Sequence, residues 1–305
     1  MSQGPSSLPS ADEATADVHV VRLPMRVRFR GLVEREALLL RGPAGWGEFS
    51  PFVEYGDEES ARWLASALDA AWHPTPRAVR ASVPVNATVP AVEAAAVAGV
   101  LARFPGCTTA KVKVAEPGQG LADDMARVAE VRAVLGAGGR VRVDANGAWT
   151  PDDALRALTA LSRHGLEYAE QPCGTLAELA GLRVALARAG VDVLVAADES
   201  IRKAQDPLRV AAAGSADVVV VKVAPLGGVR SALEVAHACG LPVVVSSALD
   251  TSVGIAAGVA LAAALPDLPY ACGLGTASLF EQDVVADPLR PLAGALDVAR
   301  AAAVQ

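Results

Sequence analysis

The chain is poor in aromatic residues, which make up only 4% of its 305 positions, and it has just four cysteines and no surplus of positive charge. Hydrophobic residues nevertheless reach 52%, too many for a disordered chain. A core without many rings is built from Ala, Val and Leu, side chains that suit helices lying on parallel strands. A formal net charge of −7 excludes a binder of phosphate backbones, which needs a basic face, so no nucleic-acid partner is expected. Cys107, Cys173, Cys239 and Cys272 are scattered without a C-x-x-C pair and read as reduced thiols of a cytoplasmic protein. The opening Met1-Ser-Gln-Gly-Pro lacks a basic start followed by an apolar stretch, so no secretory segment is expected. The most apolar run, Val253 to Leu265, is 13 residues long and broken by Gly254 and Gly258. It is too short to span a bilayer and reads as a buried helix, with no membrane partner. A doubly wound sheet would need a glycine-rich phosphate turn after an early strand, and none is present.

What is present divides into four stretches. Residues 1–16 read as a frayed tail. From 17 to 78 the pattern is antiparallel strands and then a helix: His19-Val-Val-Arg-Leu, Arg26-Val-Arg-Phe-Arg and Glu36-Ala-Leu-Leu-Leu-Arg, a break at Gly42-Pro43, and a helix from Asp57 to Ala71 with Asp57 as its cap. Over 79–278, short Val-rich runs alternate with Ala/Leu/Arg-rich helical stretches, starting at Ala81-Ser-Val-Pro-Val and ending at Tyr270-Ala-Cys-Gly. The polar residues closing the central runs are Lys113, Asp144, Glu170, Asp198, Lys222 and Ser246, at spacings of 31, 26, 28, 24 and 24 residues. One strand, one crossover helix and two loops fill such an interval. The fold expected is α/β: a modified TIM barrel, (β/α)7β-like, with an N-terminal α+β capping domain. Residues 279–305 would return to the cap through Gly294-Ala-Leu-Asp-Val. In such barrels the active site lies at the C-terminal ends of the strands.

Three acids stand where consecutive strands end: Asp144, Glu170 and Asp198. Adjacent strands lie about 4.8 Å apart, so the three carboxylates would crowd at one rim and repel. A single acid in that position is ordinarily a helix cap. Three in succession, flanked by lysines, point to a hard divalent cation held by oxygen ligands, Mg²⁺ with Mn²⁺ as the alternative. Lys111 and Lys113 alternate with Val and share one strand face. Lys222 is the only charge between Asp217 and Arg230, and an ammonium in an apolar strand needs a function or a buried acid for a partner. Lys113 and Lys222 should face each other across the mouth with the metal between them. The plainer reading makes the lysines counter-charges of the acids. A set of this kind suits removal of a proton beside a carboxylate: the cation stabilises the second negative charge, and Lys113, its pKa lowered by Lys111, acts as base.

In their order, Lys-x-Lys, Asp-x-Asn, Glu-Gln-Pro, Asp-Glu-Ser and a lone Lys resemble the muconate-lactonising subgroup of the enolase superfamily over nearly the whole chain, cap included. Ser246-Ser247 close the seventh strand where the mandelate racemase pattern has a His. The resemblance implies Asp144, Glu170 and Asp198 as metal ligands, Asn146, Glu199 and Lys111 as supporting groups, and Lys113 and Lys222 as the acid–base pair. Within the subgroup, Phe29-Arg-Gly-Leu-Val-Glu-Arg-Glu, Gly45-Trp-Gly-Glu-Phe-Ser-Pro-Phe, the short chain and Val245-Ser-Ser-Ala-Leu-Asp-Thr-Ser are most similar to the o-succinylbenzoate synthase family, particularly its actinobacterial type. That implies a small-molecule carboxylate substrate and a dehydration by way of an enediolate. Ser246, Ser247, Gly273 and Gly275 would meet the succinyl arm, and Arg28 or Arg30 the second carboxylate. Racemisation of an N-succinylamino acid or epimerisation of a dipeptide would use the same two lysines. A Schiff-base aldolase with Lys222 as nucleophile, or a barrel kept only for binding, are readings from other classes.

Overall fold

The computed structural model describes residues 8–202 and 208–304. β1 (Val18–Phe29) and β2 (Leu32–Gly42) form an antiparallel hairpin, and β3 (Gly45–Phe49) extends it along β2. The hairpin turns in two residues, Arg30 and Gly31, with φ of 50° and 77°. A right-twisted two-residue hairpin needs such a pair of positive angles. The two runs anticipated around His19 and Arg26 are therefore one strand, with an irregular register between Pro24 and Phe29. The helix Asp57–Trp72 buries Trp63, Ala67 and Ala71. It approaches β3 so closely that a Cβ on Gly47 would collide with the carbonyl of Ala67, which explains the glycine. Gly56, not Asp57, holds the cap position of this helix. Asp57, Glu58 and Glu59 lie in its first turn, where negative charge complements the helix dipole. Within the expected tail, Ala11–Ala14 form one helical turn tied by Ser10 and Glu13, and residues 1–7 lie outside the described residues.

The chain then enters the barrel. β4 (Ser82–Pro84) is followed by β5 (Ala87–Val89), β6 (Thr109–Lys113), β7 (Arg140–Asp144), β8 (Leu166–Glu170), β9 (Leu194–Ala197), β10 (Val218–Val221) and β11 (Val243–Val245). β5 to β11 pair in chain order, all parallel. The sheet curls until Cys272 and Gly273 bridge Val85 on one side and Ser246 on the other, taking the eighth place. This is a (β/α)7β-like modified TIM barrel with an N-terminal α+β cap. Helices cover its outside, and Ser252–Ala264, which carries no charged residue, has ten of its thirteen residues buried as a result. Inside, Tyr168, Ala196, Val218, Val220 and Val244 pack together below the strand ends.

Two expectations shift. Only the end of the run Ala81–Val85 joins the barrel, Val85 bridging Cys272, because β4 pairs antiparallel with β12 (Ala295–Asp297) and the ladder with β6 begins at β5. Pro84 has no N–H to give a central ladder, so a short two-stranded edge is where it is tolerated. The Gly294–Val298 run thus returns to the barrel entrance. Phe280 touches the cap instead, bridging Met25 and accepting from Arg26 Nε at 2.9 Å. No described helix is long and apolar enough to cross a membrane.

Candidate active site

Strand register assembles the charged residues. On neighbouring strands Lys113 stands opposite Asp144, and Asp144 opposite Glu170. Glu170 is opposite Ala196, two residues before Asp198. Asp144, Glu170 and Asp198 are only 1%, 1% and 2% exposed. Carboxylates so buried require partners, and the lysines provide them. Lys111 Nζ donates to Glu170 Oε1 at 2.6 Å and lies 3.0 Å from Asp144 Oδ2. Lys113 Nζ donates to Asp144 Oδ2 at 2.5 Å and to Asn146 Oδ1 at 2.6 Å. Lys222 Nζ donates to Asp198 Oδ2.

These pairings set the proton affinities. Burial would raise the pKa of Asp144, but Lys111 and Lys113 outweigh it and hold the carboxyl below its usual range. Burial, and then the charge of Asp144, push Glu170 up to about 7. Burial works against the charged form of Lys111, yet Asp144 and Glu170 overcome it and raise that amine well above its ordinary value. Lys113 is lowered, by burial first, with Lys111 adding to the effect and Asp144 opposing it. The depression anticipated from a neighbouring cation is therefore mainly desolvation.

Two side chains shape the loops. Asn146, at φ 48°, donates from its backbone to Asp144 Oδ1 at 3.1 Å and from Nδ2 to Glu199 Oε1 at 3.2 Å. Gln171, at φ 37°, is fully buried. Its Oε1 accepts from the backbone of Asp198 (2.9 Å) and Ser200 (3.2 Å), and its Nε2 donates to the Cys173 carbonyl (2.9 Å) and Ser200 Oγ (2.8 Å). One amide thus ties the end of β8 to the loop carrying Asp198. Sequence reasoning missed Gln171, although a polar residue held between Glu170 and Pro172 was the available signal.

Lys111, Lys113, Lys222 and Asp144 line one cavity of about 30 Å³ together with Ser246, Ser247 and Gly273. Asn146, Ala248, Leu249, Thr88, Thr276 and the cap residues Phe29, Arg30 and Phe52 complete it, Thr88 and Thr276 not having been singled out from sequence. A Cβ on Gly273 would collide with Ser246, so glycine is required there. Gly275 is not part of the lining: it packs on the Asn86 carbonyl and the Phe104 ring. Outside lies a cleft of about 660 Å³ that shares Phe29, Arg30, Lys113 and Asn146 with the inner cavity.

Among the described residues no three His, Cys, Asp or Glu side chains form a ready ligand group. Asp144 and Glu170 converge on the ammonium of Lys111, while Asp198 holds Lys222. The crowded trio expected from sequence is thus a set of ion pairs. Its donor chemistry fits a hard divalent cation all the same, with buried oxygen ligands only and Glu170 raised by burial and by the charge of Asp144.

A barrel with charged strand ends under an α+β cap defines the class, and comparison with known proteins agrees. Residues 91–302 match the enolase C-terminal domain-like family and residues 20–71 the enolase N-terminal domain-like family. The chain is 60% identical to the o-succinylbenzoate synthase of Mycolicibacterium smegmatis, over 96% of its own length and 89% of the relative's. It is 61% identical to that of Thermobifida fusca, covering 91% and 86%. The solved muconate lactonizing enzyme from Pseudomonas fluorescens, complexed with muconolactone, superposes with a TM-score of 0.77 at 23% identity, covering 92% of each chain. The chain belongs to the enolase superfamily and, within it, to the o-succinylbenzoate synthase family.

Proposed function

We infer that this chain is an o-succinylbenzoate synthase, removing water from 2-succinyl-6-hydroxy-2,4-cyclohexadiene-1-carboxylate to give 2-succinylbenzoate, in menaquinone biosynthesis in the cytoplasm. The observation that carries the reading is that Lys113 and Lys222 line one small cavity beside Asp144, in a chain 60% identical to a synthase. Relatives bearing that name favour dehydration over the racemisation or epimerisation the same lysines would allow.

The proton to be removed lies beside a carboxylate, so its loss places a second negative charge there. Asp144, Glu170 and Asp198 would hold a divalent cation, Mg²⁺ or Mn²⁺, which supplies positive charge to that carboxylate. Lys113 takes the proton. Burial and Lys111 favour its neutral form, and Asp144 and Asn146 aim its nitrogen. The ammonium so formed delivers the proton to the departing hydroxyl on the same face, and the ring becomes aromatic as water leaves. Lys222, paired with Asp198, keeps its proton and offers positive charge from its own side of the cavity. Lys111, gripped by two carboxylates, stays charged and acts on Lys113 as a neighbour rather than as a second base. Ser246, Ser247 and Gly273 line the space for the succinyl arm.

The test is an ultraviolet assay of the dehydration with and without chelator. Product with Mg²⁺ and none in EDTA is expected. Turnover indifferent to EDTA, or no product from the purified chain, overturns the reading.

A further inference from the structure

The cap helix Asp57–Trp72 packs against the turn that follows Lys222, where Ser66 and Ala70 of the helix share a small cavity wall with Val223 and Ala224. That turn is drawn tight. The carbonyl of Val223, the residue after Lys222, accepts from Leu226 N at 3.2 Å and from Gly228 N at 3.1 Å. Val229 then opens the barrel helix Val229–Cys239.

The first amides of a helix need acceptors from outside it. The cap position here is Gly228, which has no side chain to offer one. Asp69, on the cap helix, supplies the acceptor instead: its Oδ2 takes the Val229 N–H at 3.2 Å. Gly228, at φ 127°, permits the approach, because a Cβ there would lie 2.6 Å from the same oxygen. The other oxygen of Asp69 is 3.1 Å from His73 Nδ1, so the carboxylate is braced from both ends. One residue beyond Val229, Arg230 Nη2 donates to the Pro74 carbonyl at 2.8 Å and repeats the tie.

We propose that Asp69 is a positioning residue for Lys222, a carboxylate of the cap that completes a barrel helix and so fixes the turn beside the lysine. The inference rests on the function proposed above, in which the Lys222 ammonium offers positive charge to the reacting substrate. Asp69 itself lies outside the inner cavity, so it acts only through the backbone. Its path is short: Asp69 holds Val229 and packs on Gly228, Gly228 is bonded to the Val223 carbonyl, and Val223 adjoins Lys222. The partner of the ammonium, Asp198, is also assigned to the divalent cation. The lysine therefore cannot rely on that carboxylate alone for its aim, and a fixed backbone supplies the rest.

The experiment joins steady-state kinetics of the dehydration to hydrogen exchange, read by mass spectrometry on the peptide 222–232. Displacing a charge-stabilising group by about 1 Å costs on the order of 100-fold, so Asp69→Ala should lower kcat about 10- to 100-fold and leave KM within about twofold. Exchange in 222–232 should quicken in the same variant. Asp69→Asn, whose amide oxygen caps a helix about as well, should restore kcat to within about threefold and slow the exchange again. Asp69→Ala that melts at a lower temperature yet keeps the wild-type kcat overturns the proposal, since the residue would then only fasten cap to barrel. Unchanged exchange in 222–232 overturns it as well. Should Asp69→Ala fail to fold, His73→Ala, which removes only the brace, takes its place with smaller changes in the same direction, and their absence is equally decisive. Wild-type turnover with kcat unmoved in the variants sinks the role of Asp69 alone. A wild type without turnover sinks the function beneath it.

Discussion

The ammonium of Lys113 lies 5.2 Å from the centre of the Phe29 ring, so the tip of the cap hairpin roofs this lysine at the barrel mouth. Ring faces attract cations and the ring also excludes water, which couples the chemistry of the barrel to the seating of the cap. Lys113→Ala should lower turnover by about 100- to 10,000-fold and leave the circular dichroism spectrum unchanged, since Lys111 still pairs with Asp144. A rate within tenfold of the wild type would remove Lys113 as the base.

Asp198→Asn keeps the shape of the side chain and removes its charge. Titration calorimetry with Mg²⁺ should show affinity reduced by about tenfold or more. Unchanged affinity would place that ligand elsewhere.

Glu48 reaches from β3 into the loop after β11, accepting from Thr251 N (3.0 Å), Thr251 Oγ1 (2.6 Å), Gly254 N (2.9 Å) and Ser50 Oγ (2.8 Å). Glu48→Ala leaves those donors buried without a partner and should cost about 2–4 kcal/mol of stability. Denaturant unfolding gives the figure, and a loss below about 0.5 kcal/mol, the range of ordinary surface substitutions, would show that this contact does not hold cap to barrel.

Asp250 supplies the pH test. Burial, and then the charge of Glu48, push it up to about 7 against the opposing effect of Arg35, while in the unfolded chain it titrates near 4, about its model-peptide value. Between those values the folded form binds the extra proton, so this residue makes stability fall as pH rises from about 4 to 7. Asp250→Asn should therefore gain on the wild type across that interval, by the order of 1–3 kcal/mol at pH 8 relative to pH 5. Denaturation curves at the two pH values decide it: an equal difference at both means that Asp250 keeps an ordinary pKa in the fold.

The barrel strands were legible because a lysine or acid closing a run of valines is conspicuous, and their spacing marks one βα unit after another. What each charge touches was less so. That Asp144 and Glu170 share Lys111 while Asp198 takes Lys222 depends on register between residues 24 to 59 positions apart. Gly275 packs on Asn86 and Phe104 outside the inner lining, because a glycine after a strand serves packing as readily as a ligand. Arg28 and Arg30 were not separable from sequence; the positive φ at Arg30 and its place in the inner cavity, which Arg28 does not line, distinguish them. Pro84 carried the warning that Ser82–Pro84 pair outside the parallel ladder.

Three ammonium groups within the same chain already neutralise the acids at the strand ends. The polypeptide therefore brings its own counter-ions and can complete its architecture before any inorganic partner arrives. Under the function proposed above, assembly and activation would be separate events, with free divalent ion setting how much of the protein works rather than how much of it exists.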